Sequence, residues 1–535
     1  MPTLNLPGRR RPTRDGAAGD AADGVALGGA ALLVGLAALV GRALLAAGTN
    51  LLLPFPPLIA SWAPHVGPGT PAAIGVAGLV VLRGPELAAR LAWRPLLAVA
   101  YAGSAAWIVC LALVDGWQRG VVERLTSDQE YLHDVPRVTD IRAMLAGFAD
   151  HILIDRPGFW STHVGAHPPG TLLLFTALDR VGLGGGGPSG MVVMLVGASS
   201  AIAVAVTLRA LGAETTARRA LPFGVLLPGA VWIGVSADGL FAAVLAWAVA
   251  LVTIGTTRAG PAADMAATAG GLLFGVTLYL SYGLVLGGAL VLAALAAAAT
   301  LCRSELGRSG WPVRATLFAT AGTGLVVLMF STSGFWWFTG LGRTRVIYAA
   351  SIAAARPYGY FVWANLAALL FTAGPAVVVG LRRLGALSFR TSGFPARRLQ
   401  TQEFGARNFR RAGFPPAAVL TCAALVAILL ADLSGLSKAE VERIWLPFTV
   451  WLVPACAFLP GSGPAGSGPA GSGAAGSGAA GPGLPEPGPS EPGRRPGGAP
   501  SATAGRARAL FGARALLATQ AVLALTVNHL LLTPW

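Results

Sequence analysis

The sequence predicts an all-α polytopic membrane protein, and three observations carry that prediction. Of 535 residues, 54% are apolar and only 12% are charged, where a soluble protein is about a quarter charged. Long apolar runs of the kind that cross a bilayer recur from residue 25 to residue 533. The basic residues sit largely in short loops between those runs, as the positive-inside rule expects. A soluble enzyme with one anchor is excluded, and so are disordered and collagen-like chains, despite 72 glycines and 38 prolines.

The net charge of +16 has the same source, so no nucleic-acid partner is expected. Almost all the basic residues are arginines, with Lys438 the only lysine. This composition fits a high-GC bacterial genome of the actinobacterial kind. Cys110, Cys302, Cys422 and Cys456 lie in or beside apolar runs without CxxC spacing, and indicate neither a zinc site nor a disulfide framework.

Taken in order, residues 1–24 are a cytoplasmic tail with Arg9, Arg10, Arg11 and Arg14. The apolar run 25–47 is too long for a signal-peptide core and reads as a retained first span. Further spans fall at 71–83, 95–115, 189–209, 221–235, 239–256, 266–282, 285–302, 315–332, 359–380, 415–431, 445–459 and 511–532. The apolar run 168–183 is treated differently. Counting it as a crossing puts Arg209, Arg218, Arg219 and the cluster from Arg382 to Arg411 outside. A re-entrant or interfacial run there returns every arginine-rich loop to the inside, and Asp179, Arg180 and Gly184 to Gly187 suit that reading. The result is about 13 transmembrane helices, a cytoplasmic N-terminus, and external loops at 116–188 and 333–358. The membrane domain spans 25–459, and 460–510 is expected to be a disordered Gly/Pro/Ser/Ala-rich cytoplasmic linker. Residues 511–535 carry the final span.

The first external loop is exceptional in a chain this poor in charge. Four of the 6 histidines, His133, His151, His163 and His167, lie in it. Val138, Ile141, Leu145, Phe148 and Ile152 recur at helical spacing and predict an amphipathic helix in the outer membrane interface. The loop opens with Ser127-Asp128-Gln129-Glu130-Tyr131 and closes with Trp160-Ser161-Thr162-His163-Val164-Gly165-Ala166-His167-Pro168-Pro169-Gly170.

An acidic motif at a membrane exit, an interfacial helix, then a basic residue before Pro-Pro resembles the first external loop of GT-C superfamily glycosyltransferases. The resemblance is to the protein O-mannosyltransferase and aminoarabinose transferase branch, and covers roughly residues 95–260 in order and spacing. Asp238, in Ser236-Ala237-Asp238-Gly239-Leu240, resembles an acid that branch carries before a Leu-rich helix, and acids reappear late in the chain at Glu440 and Glu442. One departure stands out: Gln129 separates Asp128 from Glu130, where the branch has adjacent acids.

The resemblance implies an enzyme on the outer face of the plasma membrane. It would move a sugar from a polyprenyl-phosphate donor to a glycan, lipid or protein acceptor, by an inverting displacement. A carboxylate takes the acceptor's proton: Asp128 in the first instance, with Glu130 its alternate. The leaving phosphate needs cations and donors, for which His163, His167, Arg156, Arg343, Arg345 and Arg356 are candidates. Tyr131, Trp160, Asp238, Tyr358 and Glu442 are candidate substrate contacts. Asp128, Glu130 and His133 together form a possible divalent-cation set. The rival is a lipid-linked sugar flippase or small-molecule transporter. That class should place charges within several spans and often repeat its halves. Here the charges gather in one loop, and the membrane part shows no convincing internal repeat.

Overall fold

The computed structural model describes residues 14–304, 307–308, 310–391, 415–460 and 502–534. Residues 461–501 of the expected linker and most of the Arg382 to Arg411 cluster lie outside these residues, as does the first half of the tail; the end of the expected linker is corrected, because a helix starts at Ala502. The described chain is helical apart from one short antiparallel pair, Ser61–Trp62 with Leu531–Leu532. Nine of its helices are long and apolar enough to cross a membrane, or 10 with the bent pair Tyr358–Ala373 and Pro375–Leu387, whose halves meet at 105°. The bend falls where Gly374 (φ 81°) precedes Pro375. The protein is therefore a multi-pass membrane protein with fewer uninterrupted spans than the apolar runs suggest.

Proline explains much of the difference. The run 221–235 is divided between Glu214–Val225 and Ala230–Ile233, with Pro228 in the break between them. The run 445–459 becomes Leu446–Thr449 and a tight 3-10 stretch, Val450–Phe458, with Pro454 inside. Each such proline removes an amide donor and crowds the preceding turn. The run 511–532 falls in the helix Ala502–Leu530 except for Leu531 and Leu532, which form the short strand.

Helix Ala237–Thr257 is the axis of the bundle, with 78% of its most apolar window buried, against 11% for the N-terminal helix. Small residues let its neighbour Pro261–Leu280 approach closely, as in other membrane helix pairs. A Cβ on Gly270 would stand 2.6 Å from the Val252 amide nitrogen.

Arginines gather at one end of the bundle. Arg218 donates to the carbonyls of Ala88 and Leu91, while Arg314 pairs with Asp264, Arg383 with Asp23 and Arg514 with Glu86. The 116–188 segment and the turns near residues 238, 281, 356 and 440 occupy the opposite end.

Two features of the 116–188 segment concern the expectations directly. The run 168–183 contains a helix of only 9 residues, Gly170–Leu178, about 13 Å long and too short to cross a core of about 30 Å. Gly182 (φ 80°) and Gly185 (φ 77°) then turn the chain. The amphipathic stretch is corrected: its helix runs only from Ile141 to Gly147 and tightens into a 3-10 turn over Phe148–His151. Its apolar face meets protein, not lipid. Val138, Leu145, Phe148 and Ile152 are buried in the main core, and Phe148 stacks on Trp160 at 5.4 Å and meets Phe335 edge-on at 5.6 Å. An apolar stripe is the same signal whichever surface covers it.

Candidate functional site

The two ends of the first loop are joined by several contacts. The Ser161 amide donates to Asp134 Oδ2 (2.8 Å) and the His163 amide to the Gln129 carbonyl (3.0 Å). The Ser161 hydroxyl donates to the Glu130 carbonyl (3.4 Å), and His163 Nδ1 stands 2.9 Å from Glu130 Oε1. Asp134 is fully buried and also holds Arg137. Arg137 covers the Trp160 ring at 4.4 Å and donates to the carbonyls of Phe159 and Gly158. Trp160 in turn donates its indole N–H to the Phe148 carbonyl. It packs the loop together and takes no part in the charged cluster.

At the centre of that cluster is Arg443, buried in the short helix Val441–Ile444. It reaches Asp238 Oδ2 at 2.7 Å, Glu440 Oε2 at 2.6 Å and His163 Nε2 at 3.0 Å. A guanidinium only donates, so His163 Nε2 accepts and the proton of the neutral ring sits on Nδ1, beside Glu130. The result is a continuous chain, Glu130–His163–Arg443, ending on Asp238 and Glu440. Burial pushes the Glu130 carboxyl up, but His163 and Arg443 outweigh it and hold it below the ordinary carboxyl range. Glu440 is likewise lowered, Arg443, His163 and Arg356 overcoming its burial. Both acids are therefore ionised at neutral pH.

A buried aromatic layer supports the chain. Tyr131 stacks on Phe175 at 5.5 Å, and its hydroxyl meets His167 Nδ1 at 3.1 Å. Burial raises the Tyr131 phenol well above its ordinary value. His167 Nδ1 also faces the His163 carbonyl at 2.7 Å, to which it donates. Burial lowers the His167 imidazole to about 4, against the opposing pull of Asp238. It is neutral at pH 7.

The loop carrying Glu440 is held in an uncommon conformation. Ala439 (φ 70°) and Glu440 (φ 62°) are successive non-glycine residues in the left-handed region, which costs roughly 1–2 kcal/mol per residue. Asn365 fixes them there: its carboxamide oxygen accepts from the Ala439 amide, and its nitrogen donates to Asp432 and to the Ser437 carbonyl. Arg356 and Lys438 interlock beside it. Arg356 Nη1 donates to the Lys438 carbonyl (2.5 Å) and lies 3.7 Å from Glu440, while Lys438 Nζ donates to the carbonyls of Ala354 and Arg356.

Of the residues anticipated from the sequence, Glu130, Tyr131, His163, His167 and Asp238 come together, and Arg356 joins them through Glu440. Asp128 and His133 are exposed and do not converge with Glu130. Among the described residues no three His, Cys, Asp or Glu side chains form a group suited to a metal ion. Arg156 and Arg345 are exposed, Arg343 pairs with Asp150 at 2.5 Å, and the Tyr358 hydroxyl donates to the Leu433 carbonyl. Glu442 is buried (1% exposed), with no regular hydrogen bond to either carboxyl oxygen, though the Ile59 amide lies near enough to ease its charge. Sequence reasoning missed Arg443. Its signal was Lys438-Ala439-Glu440-Val441-Glu442-Arg443, a charged run set directly against an apolar one.

No family model and no curated protein matches the chain. Among solved structures it is similar to ArnT from Cupriavidus metallidurans in the apo state. Identity is 16% and the TM-score 0.26, over 67% of this chain and 77% of that one. A TM-score that low does not establish a common fold, and the functional reading rests on the site's own chemistry.

Proposed function

We propose that the protein is a GT-C-type membrane glycosyltransferase that transfers a sugar from a polyprenyl-phosphate donor to an envelope glycan, lipid or protein acceptor. The observation that carries this reading is the buried chain from Glu130 through His163 and Arg443 to Asp238 and Glu440. It lies at the bundle end opposite the arginine-rich turns, which the positive-inside rule assigns to the outer face.

In this reading Glu130 is the general base. His163 and Arg443 keep it ionised, one oxygen rests on His163, and the other takes the acceptor hydroxyl's proton. The acceptor oxygen attacks the anomeric carbon as the bond from that carbon to the phosphate oxygen breaks. The polyprenyl phosphate departs with the bonding pair. Arg356 is the cation best placed for it, because its carboxylate neighbour is 3.7 Å away and shared with Arg443. Asp128, exposed two residues upstream, is the rival base.

The test is transfer from radiolabelled polyprenyl-phosphate sugars in membranes. Glu130→Gln should lower kcat by about 10²-fold or more, Asp128→Asn should stay near wild type, and Arg356→Gln should raise the donor KM. A dead Asp128→Asn beside an active Glu130→Gln moves the base two residues. If both acid variants keep full transfer, neither carboxylate is the base; if wild-type membranes show no transfer, the transferase reading fails and a transporter becomes the better one.

A further inference from the structure

We infer that Asn365 is a positioning residue for the proposed transfer: by holding Ala439 and Glu440 in their left-handed turn, it aims Arg443 at His163, the partner of Glu130. The consequence for catalysis rests on the transferase reading. The placement of Arg443 rests on geometry alone.

Four side chains grip the loop from Leu433 to Glu440. Tyr358 donates to the Leu433 carbonyl, Tyr348 to that of Gly435, Asn365 to that of Ser437 and Arg356 to that of Lys438. Asn365 also reaches the turn itself, where its Oδ1 accepts from the Ala439 amide at 3.2 Å. Its second amide proton goes to Asp432 Oδ1 at 2.9 Å. Two acceptors on one side of the carboxamide and an N–H on the other fix which end is oxygen. The arrangement is buried, with Asn365 2% and Asp432 3% exposed. Leucine at this position satisfies none of the three groups, and aspartate repels Asp432 and the Ser437 carbonyl.

The turn matters because the helix that carries Arg443 begins on it. The Glu440 carbonyl accepts from the amides of Arg443 and Ile444, each at 3.1 Å, so the backbone angles of Glu440 set the direction of Val441–Ile444. From that helix Arg443 meets His163 Nε2 at 3.0 Å, which keeps the His163 proton on Nδ1, beside Glu130. Left-handed backbone is unfavourable for alanine and glutamate. Released from Asn365, the turn relaxes and Arg443 leaves His163. His163, Arg443 and His167 face Glu130 and favour its charged form, while burial opposes them, and the neighbouring Tyr131 stays a neutral phenol. Without Arg443 in place burial is less opposed, so Glu130 takes up its proton at a higher pH.

The experiment uses the full chain in detergent and histidine-selective nitrogen NMR. The chain has only 6 histidines, and His163→Gln identifies the His163 signal. In wild type that ring should be neutral, with a protonated Nδ1 and a hydrogen-bonded, unprotonated Nε2. Asn365→Leu should turn it into a mixture of the two tautomers. The same variant should lower kcat for sugar transfer about tenfold at neutral pH, and the loss should deepen toward acid pH. Glycine adopts the left-handed turn freely, so adding Ala439→Gly to Asn365→Leu should recover the His163 signal and part of the transfer. If Asn365→Leu does not fold, Asn365→Ser, which keeps one hydroxyl for the same partners, is read in the same way. A lower thermal midpoint with an unmoved His163 tautomer and pH profile is a role in stability alone and overturns the proposal, as does a double variant no better than Asn365→Leu. The NMR signal needs no transfer, which separates the two readings. A tautomer change in a protein whose wild type transfers no sugar keeps the placement of Arg443 and removes the enzyme. Normal transfer with His163 unmoved in Asn365→Leu keeps the enzyme and overturns the inference.

Discussion

Glu442 offers a test with a sign as well as a size. Its carboxyl is buried beside the Ile59 segment, and burial, reinforced by the nearby Glu440 charge, pushes it up to about 7. An unfolded glutamate titrates near 4.3, so the folded state holds this proton more tightly than the unfolded chain does. Stability from a raised carboxyl is fully present below the unfolded value and is lost as pH rises through the folded one. Ionising Glu442 therefore works against folding between about pH 4 and pH 7. At about 1.4 kcal/mol per pH unit, the full penalty above that window is about 4 kcal/mol. Glu442→Gln keeps the shape and cannot ionise. The variant should match wild type at pH 4 and exceed it by about 4 kcal/mol at pH 8, read as a pH-dependent gain in the thermal midpoint of the detergent-solubilised protein. A gain of equal size at both pH values, or none at pH 8, refutes the assignment of this burial penalty to Glu442.

Two further outcomes follow from the same site. Arg443→Met leaves Asp238, Glu440 and His163 without their common donor, and breaking a buried ion pair costs about 3–5 kcal/mol. Thermal unfolding should show a large loss, and adding Asp238→Asn should recover part of it; additive losses would show that the two residues are not coupled. Cysteines at the two ends of the bundle test the orientation. Arg345→Cys should react with an impermeant thiol reagent on intact cells and Arg90→Cys, at the end of Thr70–Arg90, should not; labelling at 90 alone inverts the membrane orientation.

Composition and periodicity determined the class of this protein. Apolar runs with arginines between them leave few alternatives to a helical bundle, because a bilayer core accepts no unpaired backbone. Nine of the expected spans appear as uninterrupted helices and a tenth as a bent pair. Those read wrongly as continuous carry prolines, at 228 and 454, whose effect on a helix a hydropathy average does not register. The sequence also singled out three members of the buried cluster, since Glu130, His163 and His167 stood out in a charge-poor chain. The partners came from the tertiary structure. Arg443 lies 280 residues from His163, and nothing in local sequence pairs the two; only the packing of Val441–Ile444 under the first loop does. The same holds for the apolar stripe at 138–152, which was visible as a stripe but not as a surface. Periodicity states that a face must be covered, and the fold alone decides whether lipid or protein covers it.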